Sequence, residues 1–275
     1  MKEQVLKNRL LSMESDSNEE LYTLCLEMMN YIGSPDPILR DDLIYRTLER
    51  LIPAGAFTDE QLHRILEISL GRTHLFFNID TIDENGVFTR SFSALVIALV
   101  LAENKKHHFL YEQDLLVIHD AVIEYLGHEW DLRGYVPGKG WARGIAHIAD
   151  VIDILVKQDD YPGKRRQQLL EAMFEKMATE RTIYVYQEEE RMLNPLMTIL
   201  EQGFDEEVLL ELLSKMLVKM DYAFLEMRED DYAALYMNVT RFLRGLFFRL
   251  EASGMFPLLK NDIEFMLLHE VRTFS

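Results

Sequence analysis

The chain has a single cysteine, Cys25, so no disulfide can form within it. Its 13 glycines and 7 prolines among 275 residues are too few to turn a many-stranded β fold. No apolar run approaches the ~20 residues that cross a bilayer; the longest is Ala94 to Ala102. Positive charge is scarce as well. Against 29 Lys and Arg stand 47 Asp and Glu, and the net charge of -18 repels a phosphate backbone. The short basic clusters Lys105 to His108 and Lys164 to Arg166 read as solvated surface, so nucleic acid is not an expected partner. Met1 to Ser15 alternates charge with leucine and lacks the continuous apolar stretch of a secretory leader. A cytoplasmic protein with no membrane partner is the resulting expectation.

What is present is helix-forming sequence: 48% hydrophobic residues, rich in Leu and Met, with abundant Glu. The fold class is read as all-α. Cys25 lies in the helical run Glu19 to Ile32 among Leu21, Leu24 and Met28, a core position. Steps of about fifty residues separate Arg40, Arg90, Arg191 and Arg241, and Gly140 with Trp141 fills the empty place in the series. Each point opens an apolar helical segment: Leu39 to Leu51, Phe88 to Ala102, Trp141 to Val156, Arg191 to Leu200 and Arg241 to Leu250. Helix pairs in succession predict an α-solenoid of the HEAT or armadillo kind, a single repeat domain over residues 1–275. In that geometry Arg40, Arg90, Arg143 and Arg191 come near one another along one rim or the concave face. Thr58-Asp59-Glu60-Gln61 is a capping box for a helix running to about Leu70. Gly71 to Thr89 is then the longest irregular stretch, and Asn194-Pro195 falls near the start of a later helix, where proline is tolerated in the first turn. Further helices are expected near 165–179, 186–201, 205–220, 231–252 and 258–272.

Chemistry concentrates between His128 and Asp150, which holds both tryptophans and a dense mix of charge and glycine at a loop-to-helix junction. Gly134 to Gly140 has the outline of a phosphate-binding loop but is one residue short, places Gly140 where Ser or Thr should stand, and loses an N–H at Pro137. A nucleoside-triphosphatase is therefore rejected. A helix start flanked by Lys139 and Arg143 suits a carboxylate or phosphate, and the competing reading is an ion pair to Asp131 or Asp150 that pins the loop. His147 and Asp150, three apart on a helix, with His128, Glu129 and Asp131 upstream, have residue types that bind zinc or iron. A hydrogen-bonded structural histidine explains His147 more simply, and no metal or cofactor is assigned. Glu188 to Arg191 reads as helix capping and ion pairing between repeats. Met216, Met220, Met227 and Met237 suit core filling or an adaptable groove.

Three blocks, Leu39-Arg40-Asp41, Val87 to Leu95 and Asp131 to Ala142 continuing through His147 to Asp150, resemble a bacterial family, domain-of-unknown-function family 2785. Glu189-Glu190-Arg191-Met192 resembles its fourth block. The resemblance implies a helical-repeat protein and supplies no reaction, substrate or cofactor. It also implies a histidine where this chain has Arg143, an arrangement His-x-x-x-His-x-x-Asp that would suit a metal better than the residues present. The function expected is that of a non-catalytic binding or scaffold module, taking a protein partner or a small anionic ligand. Its candidate residues are Arg90, Asp131, Arg133, Lys139, Trp141, Arg143, His147 and Asp150. The alternative is an enzyme with a hydrolytic or metal-assisted site at His147, Asp150 and Asp131.

Overall fold

The computed structural model describes residues 3–12 and 17–270. Met1, Lys2 and residues 13–15 of the segment read for a leader, and residues 271–272 of the last expected helix, lie outside the described residues. Helix makes up 71% of the structure, so the fold is all-α. The chain divides into two compact units, Met1–Pro162 and Gly163–Ser275.

In the first unit, α1 (Glu3–Leu11) and α2 (Asn18–Met29) precede a π-helical segment, Ile38–Tyr45, that runs on into α3 (Arg46–Leu51). Asp36 starts this segment by accepting from the backbone N–H of Ile38. Helix α4 (Asp59–Leu70) opens on the expected capping box: the Thr58 hydroxyl accepts from the Gln61 backbone, and the Gln61 side chain accepts from the Thr58 N–H. The central helix is α5 (Gly86–His107), which packs on α4 and on α7 (Gly144–Val156). In sequence, α6 (Glu112–His128) lies between α5 and α7 and packs on α7. Helix α5 has the length and composition of a membrane span, yet 83% of that stretch is buried inside the protein, the character of a core helix. It begins four residues before the expected arginine, because Asp83 accepts from the backbone N–H groups of Asn85 and Gly86 and closes the preceding turn there. Cys25 is buried in the core, which pushes its thiol up to about 12.

The second unit comprises α8 (Arg166–Met177), α9 (Glu188–Glu201), α10 (Glu206–Glu226), α11 (Glu229–Ser253) and α12 (Pro257–Phe265), which continues into a π-helical segment, Met266–Glu270. Helix α11 packs on α9, α10 and α12, with Phe242 edge-on to Phe174 of α8. Pro195 sits well inside α9 rather than in its first turn, leaving the Arg191 carbonyl without the donor an amide at 195 would supply. Met216 and Met220 are core residues, whereas Met227 and Met237 reach solvent.

Candidate functional site

Residues 129–143 leave the end of α6 and return to the start of α7. At their centre is a two-stranded antiparallel hairpin, β1 (Tyr135–Val136) and β2 (Gly140–Trp141), which the all-α reading did not include. Pro137 and Gly138 form its turn, with Gly138 at φ +77 and the Lys139 N–H donating to the Val136 carbonyl. Gly140 is required twice over: its φ is +80, and a Cβ there would stand 3.1 Å from Pro37 Cβ and 3.2 Å from Arg40 Nη2. Val136 and Ala142 close against Val87 and Phe88 of α5.

Two buried arginines fix this segment from below. Arg40 is wholly buried. Its guanidinium pairs with Asp41 at 2.8 Å and donates to the carbonyls of Ser34 and Lys139, each at 2.8 Å. Its flat faces meet Phe88 and Phe92, with ring centres 4.2 and 4.9 Å away. Burial lowers its pKa, opposed by the Asp41 charge, and burial likewise raises that of Asp41. Arg90 forms a two-pronged pair with Glu129, 2.6 Å from Nε and 2.7 Å from Nη2, with side chains 3% and 0% exposed. Its third nitrogen donates to the Phe77 carbonyl at 2.9 Å. Burial alone would lower the pKa of Arg90, but the hydrogen bonds and charge of Glu129 leave it raised. Glu129 also accepts from the Asp131 N–H at 2.9 Å, so the pair sets the path of the loop. The Tyr125 hydroxyl lies close enough to Glu129 for that charge, after burial, to raise its pKa well above the usual tyrosine range. It makes no hydrogen bond of ordinary geometry. A Cβ at Gly144 would stand 2.9 Å from that hydroxyl, so the start of α7 is held tight against it.

The remaining anchors are nearer the surface. Arg133 pairs with Asp131 and donates to the Glu84 carbonyl at 2.8 Å; Lys139 pairs with the Glu84 carboxylate at 2.6 Å and with Asn85 at 2.9 Å. The same segment carries partly exposed aromatic side chains. Trp141 meets Tyr135 edge-on at 5.1 Å and Arg143 face-on at 3.9 Å, while Trp130 is 50% and Tyr135 44% exposed.

The expected site residues thus fall in three places. Arg90, Asp131, Arg133 and Lys139 belong to the anchors, and Trp141 and Arg143 to the aromatic rim. His147 is buried beneath: its Nδ1 is 3.3 Å from the Ser91 carbonyl and its ring meets Phe92 edge-on. Asp150 lines a separate shallow groove of about 220 Å³ with Tyr45, Leu95 and Asp153. Position 143 is the N-cap of α7 in the left-handed region, and its side chain lies over Trp141 rather than along the face carrying His147. Among the described residues no three His, Cys, Asp or Glu side chains come together to hold a metal ion. A cleft of about 390 Å³ beside Ser34, His74 and Thr89 is lined by groups that satisfy one another: His74 bonds Thr73 and the Met29 carbonyl, and Ser34 bonds Glu3.

Arg40 and Arg90, expected on a rim, are buried, and Glu129, considered only as a possible additional metal ligand, is the buried partner of Arg90. A second irregular segment, 178–187, is held in the second unit by Asn238 and Arg241 of α11. There the acidic run makes the expected ion pairs, Glu189 with Arg241 at 2.9 Å and Glu190 with Arg249 at 3.0 Å. Arg191 is exposed.

No curated protein and no solved structure matches the chain significantly. The model of a family of proteins of unknown function, DUF2785, matches residues 75–248, a span that holds Arg90, the 128–150 segment and Arg241. With more than half of its length matched, the chain belongs to the DUF2785 family.

Proposed function

We propose that this chain is a non-catalytic binding module whose rim, built from the 128–150 segment, docks a protein partner through Trp130, Tyr135, Trp141 and Arg143. The observation that carries this reading is exposed aromatic surface on a loop held rigid by buried charge. Two buried arginines, one of them in a bidentate ion pair, are a costly way to position a surface loop. Large aromatic groups already ordered before binding lose little entropy on docking. Loops that carry function are those a rigid scaffold positions. In the same reading the helix pairs stack as a HEAT- or armadillo-like solenoid with a step of about fifty residues, and the protein works in the cytoplasm. A small anion at Arg143 and Lys139 is the lesser option, because Lys139 is engaged with Glu84 and Asn85 and Arg143 with Trp141. A site built on His147, Asp150 and Asp131 draws no support from the geometry, since the histidine is buried against Ser91 and Phe92.

The test is crosslinking capture from the native cytosol with three forms of the full chain: the natural protein, Trp130→Ala with Tyr135→Ala, and Tyr111→Ala as an exposed aromatic control elsewhere. A partner captured by the natural and control forms and lost from the rim variant supports the reading. Capture that is indifferent to the rim substitutions contradicts it.

A further inference from the structure

Helix α10 is apolar on two sides. Leu209, Leu212, Leu213, Met216, Leu217 and Met220 face the core of the second unit. On the opposite side Val218, Tyr222 and Leu225 are 52%, 66% and 76% exposed. Their spacing of four and then three places them along one seam, the a and d positions of a heptad, where an exposed stripe calls for a partner helix.

We propose that this seam pairs two copies of the chain, antiparallel, about a twofold axis beside Tyr222. The flanking charges choose both the occupant and the direction. Lys219 and Glu226 occupy the same flanking position in successive heptads and lie on either side of Tyr222. In an antiparallel pair Lys219 of one copy faces Glu226 of the other, twice by symmetry. A parallel pair sets Glu226 against Asp221 of the second copy twice, whereas the antiparallel pair opposes like charges once, Asp221 to its own mate at the axis, against two attractive pairs. The same symmetry supplies a socket. Beside the Lys215 and Lys219 end lies a groove of about 380 Å³ between α8 and α10, floored by Phe174, Leu212 and Met216 and edged by Glu175. Antiparallel packing carries Leu225 of the second copy to the level of Lys219, at the edge of this groove. Each copy then contributes one knob and one socket, as a closed twofold interface requires. This surface lies in the second unit and is independent of the rim reading.

The experiment is sedimentation velocity on the full chain throughout the micromolar range, with circular dichroism to verify the fold of each variant. The natural protein is expected to sediment as a dimer at the upper concentrations. Leu225→Asp, at a position already in solvent, is expected to leave only monomer with an unchanged spectrum. Lys219→Glu alone and Glu226→Lys alone each place like charges opposite one another and should weaken the dimer by at least about tenfold. The double variant restores the intermolecular pairs and should recover the dimer, although it cannot restore the intrachain bond of Lys219 to Glu175. A natural protein that stays monomeric throughout, a dimer that survives Leu225→Asp, or a double variant that fails to recover each overturns the proposal.

Discussion

Residues 128–143 in the first unit and 178–187 in the second are both irregular segments held by polar side chains reaching out of a neighbouring helix. The chemistry of the two clasps differs. In the first, the holding groups are charged and buried: Arg90 with Glu129, and Arg40 between two phenylalanine rings. In the second, the buried group that reaches out of α11 is neutral, although the carboxylates of Glu188 and Glu189 at the end of the segment are buried as well. Asn238 donates to the carbonyls of Thr179 and Thr182 and accepts from the Tyr184 N–H, while the charged member, Arg241, is a third exposed. A buried charge cannot be left without its partner, so the first clasp holds or fails as a unit. An amide surrenders individual hydrogen bonds at lower cost, so the second clasp loosens in steps. Both segments expose apolar side chains, Trp130 and Tyr135 in one and Val185 and Tyr186 in the other. Only in the first are both members of the charged pair buried, which is why the docking rim is assigned there.

The largest expected effect breaks the charged clasp. Arg90→Met leaves Glu129 buried without a counter-ion and should cost about 3–5 kcal/mol in urea unfolding. Adding Glu129→Leu removes the stranded charge, and the double variant should recover most of that loss while the loop loses its fixed path. A single variant as stable as the natural protein would show that the pair is not closed in solution. Next in size is Asn238→Ala, which strands two carbonyls and one N–H and should cost about 2–3 kcal/mol by the same measurement. Arg241→Met strands the buried Glu189, but the arginine itself is a third exposed and water can reach the site, so it should cost about 2 kcal/mol. If Arg241→Met proved as costly as Arg90→Met, the contrast between the clasps would be lost.

The smallest effect is a pH dependence next to the first clasp. Burial lowers the pKa of His74 below its ordinary 6.5, opposed by the hydrogen bond to the Met29 carbonyl. The unfolded chain therefore takes up the proton before the folded chain does. The stabilising contribution is complete above pH 6.5 and is lost as pH falls toward the folded value. Thermal unfolding followed from pH 7.5 to 5 should show a decline that is shallower in His74→Gln. An identical slope in the two proteins would remove His74 from the account.

The helices were legible because their signals are local: the capping box at Thr58, the break at Tyr161-Pro162-Gly163, and the spacing of Ile145, Ile148, Ile152 and Leu155. The hairpin carried a local signal that the all-α reading passed over, Pro137-Gly138 between Tyr135-Val136 and Gly140-Trp141. The buried pairs were not legible. Arg90 and Glu129 are 39 residues apart, and an arginine opening an apolar helix has the same pattern whether it faces solvent or a carboxylate in the core. The periodicity located Arg40, Arg90 and Arg241 but not their direction. All three donate to loop carbonyls, and Arg40 and Arg90 lie inside rather than on a rim. His147 and Asp150 had the right spacing to share a helix face, yet burial directs the histidine to Ser91 while the aspartate lines a groove.

The central claim is that the 128–143 segment is ordered before any partner arrives. Amide hydrogen exchange of the free protein tests it most directly. The N–H groups of Asp131, Lys139 and Ala142, which donate to Glu129, Val136 and Gly134, are expected to exchange as slowly as those of the flanking helices α6 and α7. They should lose that protection in Arg90→Met. Exchange of these amides in the natural protein at the rate of an unstructured peptide would contradict the account.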